Sequence, residues 1–166
     1  SVSVAAVIAG DAVAGVVLDV VSGECFTAWK GGGAWCDGVP LAVRARVPLS
    51  ERLVATGFSY EQEVRVQQAQ AVARLLGRVR DVRRLGSAAL DLCYLGAGRT
   101  DAYVEEGLNA WDMAAGGLVA TEAGARLRTA PGVGGKTCVV CAPEEAFEEF
   151  LELVAECGFL DREQIR

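Results

Sequence analysis

Three short stretches gather the side chains that chemistry would need. Gly86-Ser87-Ala88-Ala89-Leu90-Asp91-Leu92-Cys93 opens on a glycine and a hydroxyl, Asp101-Ala102-Tyr103-Val104-Glu105 closes on a carboxylate, and Trp111-Asp112-Met113-Ala114-Ala115-Gly116 sets a carboxylate at a helix start. Each ends a strand or begins a helix, and in open α/β sheets ligands gather at such junctions, so the three are expected to converge on one pocket. Asp112 has two uses there: capping the free N–H groups of its helix, or pointing outward as a hard oxygen ligand for Mg²⁺. On spacing alone the cap is the simpler reading. Gly86-Ser87-Ala88 offers a helix N-terminus suited to an anion or a hydroxylated ligand, against an ordinary N-cap role for Ser87. Glu105 stands beside Glu106, and neighbouring strand residues point to opposite faces, so at most one of them enters a given cleft. A solvated edge charge is the plainer alternative for Glu105.

Histidine is absent, which removes Ser-His-Asp and Cys-His devices and histidine-ligated zinc. Carboxylates, thiols, lysine, tyrosine and bound metal remain. Lys30-Gly31-Gly32-Gly33 lacks the spacing of a phosphate-binding P-loop and sits between strands, so a tight turn is expected. Cys138 and Cys141 have CxxC spacing, but on a strand their thiols face opposite sides, and no second pair exists to complete a zinc site. All six cysteines are read as reduced, mostly buried thiols of a cytoplasmic protein.

The elements that must position these residues follow from pattern. Residues 1 to about 38 read as an antiparallel meander: a buried strand from the first residue, a Gly10-Asp11 turn, Val13 to Val21, Cys25 to Trp29, a glycine turn, Trp35-Cys36 and an Asp37-Gly38 turn. Val39 to Ser50 reads as a connection. A strand at Leu53 to Gly57 precedes a helix from about Glu61 to Val79, with Val64, Ala71, Val72, Leu75, Leu76 and Val79 on one face and Gln and Arg on the other. Next come a strand at Asp81 to Leu85, a helix from Ala88 to Ala97, a strand at Asp101 to Glu105 and a helix from Asp112 to Ala123. Strands at Arg126 to Thr129 and Thr137 to Cys141 lead to a last helix from Pro143, stopped at Gly158. Ala114, Ala115, Gly116 and Gly117 specify close packing of one helix. Strand and helix alternate after residue 50, giving an α/β layer structure with a partly parallel sheet and the meander on a neighbouring one. One domain over residues 1–166 is expected.

At 166 residues with 52% hydrophobic and 23% charged, the chain can bury a sizeable core and is not disordered. A formal net charge of −6 opposes nucleic acid as a partner. No signal peptide or membrane span is indicated.

Taken together, Trp111 to Ala125 (W-D-M-A-A-G-G-L-V-A-T-E-A-G-A), G-S-A-A-L-D-L-C and D-A-Y-V-E-E-G resemble the carboxy-terminal signature of the inositol monophosphatase family. The meander, with K-G-x-G-A and Cys36-x-Gly38, resembles the family's middle section. The resemblance implies a layered α-β-α-β sugar-phosphatase fold lacking its amino-terminal part. It implies hydrolysis of a small polyol phosphate with two or three Mg²⁺ ions, Asp112 as a catalytic metal ligand, Gly86, Ser87 and Ala88 lining the substrate through backbone groups, and Glu105 accepting from substrate hydroxyls. A homodimer and lithium inhibition are further family expectations. The family's G-E-E and D-P-I-D-G-T segments, which carry its other metal ligands, do not occur in the 166 residues. The chain is therefore expected to be the carboxy-terminal part of a longer phosphatase, inactive alone. Inositol 1-phosphate is the leading substrate, with fructose 1,6-bisphosphate, a nucleotide 3′-phosphate and histidinol phosphate as alternatives. The competing expectation is a degenerate member kept as an interaction or dimerisation module.

Overall fold

A computed structural model describes residues 1–160; residues 161–166 of the expected domain lie outside the described residues. Alternating apolar residues and tight turns fold the first forty residues into an antiparallel sheet of β1 (Val2–Ile8), β2 (Asp11–Leu18), β3 (Cys25–Trp29), β4 (Gly33–Cys36) and β5 (Val39–Pro40), in that spatial order. Its first hairpin turns at Ala9-Gly10, one residue earlier than expected, with φ of 51° and 91°. Asp37-Gly38, at 49° and 80°, makes the other two-residue turn. Both fit the twist of paired strands, and Asp-Gly is among the sequences such a turn favours. That second turn brings Val39 back to pair with Cys36, so the expected connection begins with a short strand.

The second sheet has the order β7-β6-β8-β10-β9, from β6 (Leu53–Thr56), β7 (Asp81–Arg83), β8 (Ala102–Glu106), β9 (Ala125–Pro131) and β10 (Thr137–Pro143). β6 runs parallel to β7 and β8, and β10 antiparallel to β8 and β9. Helices α2 (Ala88–Gly96) and α3 (Ala110–Glu122) lie between the sheets. On one side they bury Val17, Phe26, Ala28 and Ala34 of the meander, and on the other Ala55, Tyr103, Val139 and Cys141. α1 (Gln62–Leu76) and α4 (Phe147–Cys157) cover the far face of the second sheet over Val54, Val104, Cys138 and Val140. The layers are β-α-β-α, as the resemblance implies. Cys138 and Cys141 enter different core clusters, as their strand spacing requires.

Backbone contact sets the spacing of the middle layer. A Cβ on Gly116 would stand 2.6 Å from the carbonyl oxygen of Ala89, so α2 and α3 touch main chain to main chain. One on Gly15 would stand 3.0 Å from Ala115 Cα, which seats α3 on β2. The tightness expected from the Ala-Ala-Gly-Gly run is thus directed at both neighbours.

Two expectations need correction. β1 is an edge strand, and Val2 and Val4 are exposed rather than buried, because they belong to the outer face of the meander. Val16 and Trp29 share that face, where the Trp29 and Trp35 rings stack 6.2 Å apart at 8°. In α1 the buried stripe is Val64, Gln68, Ala71 and Leu75, while Leu76 is exposed. Gln68 is drawn inward because it accepts from the Ser59 N–H and donates to the Glu106 carbonyl, partners that apolar periodicity does not register.

Candidate functional site

The three signature stretches meet. Gly86, Ser87, Ala88, Glu105 and Asp112 all line one cleft of about 630 Å³, at the start of α2, the end of β8 and the start of α3. Ser87 is the N-cap of α2, its Oγ accepting from the Leu90 N–H at 3.4 Å. Gly86 supplies the left-handed turn into it, at φ 87°. Asp112 is in the first turn of α3, and its Oδ2 accepts from the Asn109 N–H at 2.9 Å. Ser87 is thus the expected N-cap, whereas α3 starts two residues before the expected position and is capped by Asn109, with Asp112 at its third position supplying the reciprocal half of the capping box. Asp112 Oδ1 makes no hydrogen bond among the described residues. That oxygen is free to meet a ligand.

Glu105 points toward the middle layer, with its carboxylate lying across Gly57, where a Cβ would be 2.1 Å from the carboxyl carbon. Tyr103 Oη donates to its Oε2 at 2.8 Å. Burial raises the Glu105 pKa above the ordinary carboxylate value, against the lowering effect of the Tyr103 hydrogen bond. It is a partly buried acceptor at the cleft rather than a solvated edge charge. Glu106 also borders the cleft, although its carboxylate lies on the opposite side of the sheet, against Gly132 and Gly134, as strand alternation requires.

Asp91 is the residue that pattern reading passed over. It is 1% exposed, and neither carboxylate oxygen has a hydrogen-bond partner. Burial, reinforced by the charge of Glu105 and opposed by Arg84, pushes its pKa up to about 7. Its signal was present, since it is the lone charged residue in A-A-L-D-L-C-Y-L. Arg84, Glu61 and Lys136 also line the cleft without having been singled out.

The other motifs settle as structure. The glycine turn after Lys30 is closed by the chain's own carboxylate: Gly31 and Gly33 N–H donate to the two oxygens of Glu122 at 2.9 Å each. Cys25 and Cys36 are half-buried, Cys93, Cys138, Cys141 and Cys157 buried, and all six are free. Burial pushes the Cys93, Cys138 and Cys141 thiols far above their ordinary pKa, which keeps them protonated. Among the described residues no group of three or more His, Cys, Asp or Glu is placed to hold a metal ion. Asp112 with its one free oxygen does not make a two-metal site by itself.

Comparison with known proteins now gives the class. The pattern of the inositol monophosphatase family matches residues 1–158, and the chain belongs to that family. It is 45% identical over 154 residues to "Inositol-1-monophosphatase SuhB" of Mycobacterium tuberculosis, covering 86% of this chain and 51% of that protein. It is 36% identical over 171 residues to "Nus factor SuhB" of Haemophilus influenzae, covering 95% and 60%. The solved structure of Mycobacterium tuberculosis SuhB superposes with a TM-score of 0.86 at 40% identity, over 96% of this chain and 65% of that one. An inositol monophosphatase from Thermotoga maritima gives 0.80 at 30% identity, over 93% and 60%. The chain spans about half the length of the Mycobacterium relative.

Proposed function

We propose that the protein to which this chain belongs is a Mg²⁺-dependent phosphatase of small polyol phosphates, with inositol 1-phosphate as its substrate, and that the chain alone is inactive. The observation that carries the proposal is the convergence of Gly86, Ser87, Ala88, Glu105 and Asp112 on one cleft. In it Glu105, held by Tyr103, accepts from a substrate hydroxyl. The start of α2, with its free N–H groups and positive dipole end, faces the anionic part of the ligand. Asp112 contributes one oxygen to a metal ligand set that the described residues leave incomplete, so no turnover is assigned to them. A cytoplasmic homodimer is part of the same proposal.

Phosphate release from inositol 1-phosphate, with and without Mg²⁺, tests it on protein of verified mass. No release from the 166-residue chain, with Mg²⁺-dependent release once a segment carrying the family's G-E-E and D-P-I-D-G-T motifs is supplied, is the expected result. Robust turnover by the chain alone would refute the incomplete ligand set. The exposed apolar face of the meander, with Val2, Val4, Val16 and Trp29, favours a second reading as an interaction module. Association that depends on concentration and ignores both Mg²⁺ and Asp112→Asn would establish it instead.

A further inference from the structure

Beside the Glu105 acceptor the cleft holds a donor. Ser59 lines the cleft two residues beyond Gly57, the residue on which the Glu105 carboxylate lies. Its Oγ accepts from the Glu61 N–H at 3.2 Å, and its own hydroxyl proton has no acceptor among the described residues. What fixes the donor relative to the acceptor is Gln68 of α1, which is 2% exposed. Its Oε1 accepts from the Ser59 N–H at 2.8 Å, and its Nε2 donates at 3.3 Å to the carbonyl of Glu106, the residue after Glu105. A side-chain amide taken out of water is costly unless both of its ends are bonded, and here both are. Anchoring the loop to α1 does not need it, because Arg65 already donates to the Ser59 and Tyr60 carbonyls at 3.0 and 3.2 Å. The Gln68 amide instead spans from the loop that carries Ser59 to the strand that carries Glu105. One buried side chain thus sets the spacing between a hydroxyl donor and a carboxylate acceptor.

We propose that Ser59 is a further substrate-binding residue, donating its hydroxyl proton to a polyol hydroxyl next to the one from which Glu105 accepts, and that Gln68 is the positioning residue that holds the two together. The inference rests on the polyol-phosphate reading above and deepens it, because it names the part of the substrate that is read: two neighbouring hydroxyls. A carboxylate has no proton and can only accept, whereas a polyol hydroxyl both donates and accepts, so Glu105 alone meets half of what a diol offers. The Ser59 hydroxyl meets the other half without adding charge to the cleft, and it therefore discriminates between polyols without altering the hold on phosphate. A site built to pair with hydroxyls rejects an analogue that lacks them, since its own polar groups are then left unpaired.

The test compares inositol 1-phosphate with cyclohexyl phosphate, which has the same ring and charge but no free hydroxyl, in titrations of the 166-residue chain with Mg²⁺ followed by backbone-amide NMR. The polyol ester is expected to bind about tenfold more tightly than the cyclohexyl ester. S59A should cut that ratio about fourfold, and S59T, which keeps a hydroxyl, should retain most of it. Q68M removes both amide contacts and should lower the ratio as far as S59A does, with the affinity for cyclohexyl phosphate unchanged. A merely structural glutamine would move both ligands alike. An unchanged ratio in S59A overturns the inference and leaves the polyol-phosphate reading standing, and it does so whether or not Q68M folds. A Q68M chain that binds both ligands as the parent does, or weakens both equally, removes Gln68 from the positioning role. Equal affinity of the parent for the two esters, or binding of neither, overturns the inference together with the polyol-phosphate reading.

Discussion

Replacing Asp91 by asparagine should make the folded chain more stable in mild alkali and leave it nearly unchanged in acid. Asp91 is buried without a hydrogen-bond partner, and its pKa rises from 3.8 to about 7 through burial first and the charge of Glu105 second. Between those two values the folded chain holds a proton that the unfolded chain has released. Stability therefore falls as pH rises through that window, and the full penalty is present above about pH 7. A rise of that size corresponds to about 4 kcal/mol. Asparagine has nearly the same shape and is neutral at every pH, so Asp91→Asn removes the slope. Urea unfolding of both chains at about pH 4 and about pH 8, extrapolated to water, measures the difference directly. The variant should gain about 4 kcal/mol over the parent at the higher pH and little at the lower. An equal change at both pH values, or a loss at the higher one, would show that Asp91 is ionised in the folded chain and has found a partner.

Gly116→Ala should lower stability by about 2–3 kcal/mol in thermal or urea unfolding, because its methyl would meet the Ala89 carbonyl at 2.6 Å and force α2 and α3 apart. Glu122→Ala removes the acceptor of the exposed Gly31 and part-buried Gly33 amides and should cost about 0.5–1 kcal/mol, whereas Glu122→Gln, which keeps one acceptor, should cost less. Asp112→Asn should abolish Mg²⁺-dependent phosphate release in the complete enzyme while shifting its melting temperature only slightly, since the amide oxygen still accepts from Asn109. Comparable activity of that variant would remove Asp112 from the metal site.

The layer order and the convergence of the cleft were legible because local rules wrote them. Strand alternation separated Glu105 from Glu106 and Cys138 from Cys141, Ser87 was a recognisable N-cap, and the Ala-Ala-Gly-Gly run announced a tight helix contact. What escaped was whatever depends on the far side of a contact. β1 has the composition of a core strand but lies at a sheet edge, and nothing within Val2–Ile8 states what covers its outer face. Gln68 looked like a surface residue because its reasons for burial, the Ser59 amide and the Glu106 carbonyl, lie 9 and 38 positions away. Asp91 and Ser59 are ordinary in their own windows and acquire meaning only from the elements facing them.

The three tryptophans divide the molecule optically. Trp29 and Trp35, stacked nearly parallel on the outer sheet, form a coupled chromophore whose circular dichroism band should collapse if the meander's twist or its Lys30 turn is disturbed. Trp111 is 73% exposed at the mouth of the cleft and has no aromatic neighbour among the described residues, so its fluorescence follows events there. Without any label, the scaffold and the cleft each carry their own spectroscopic signal.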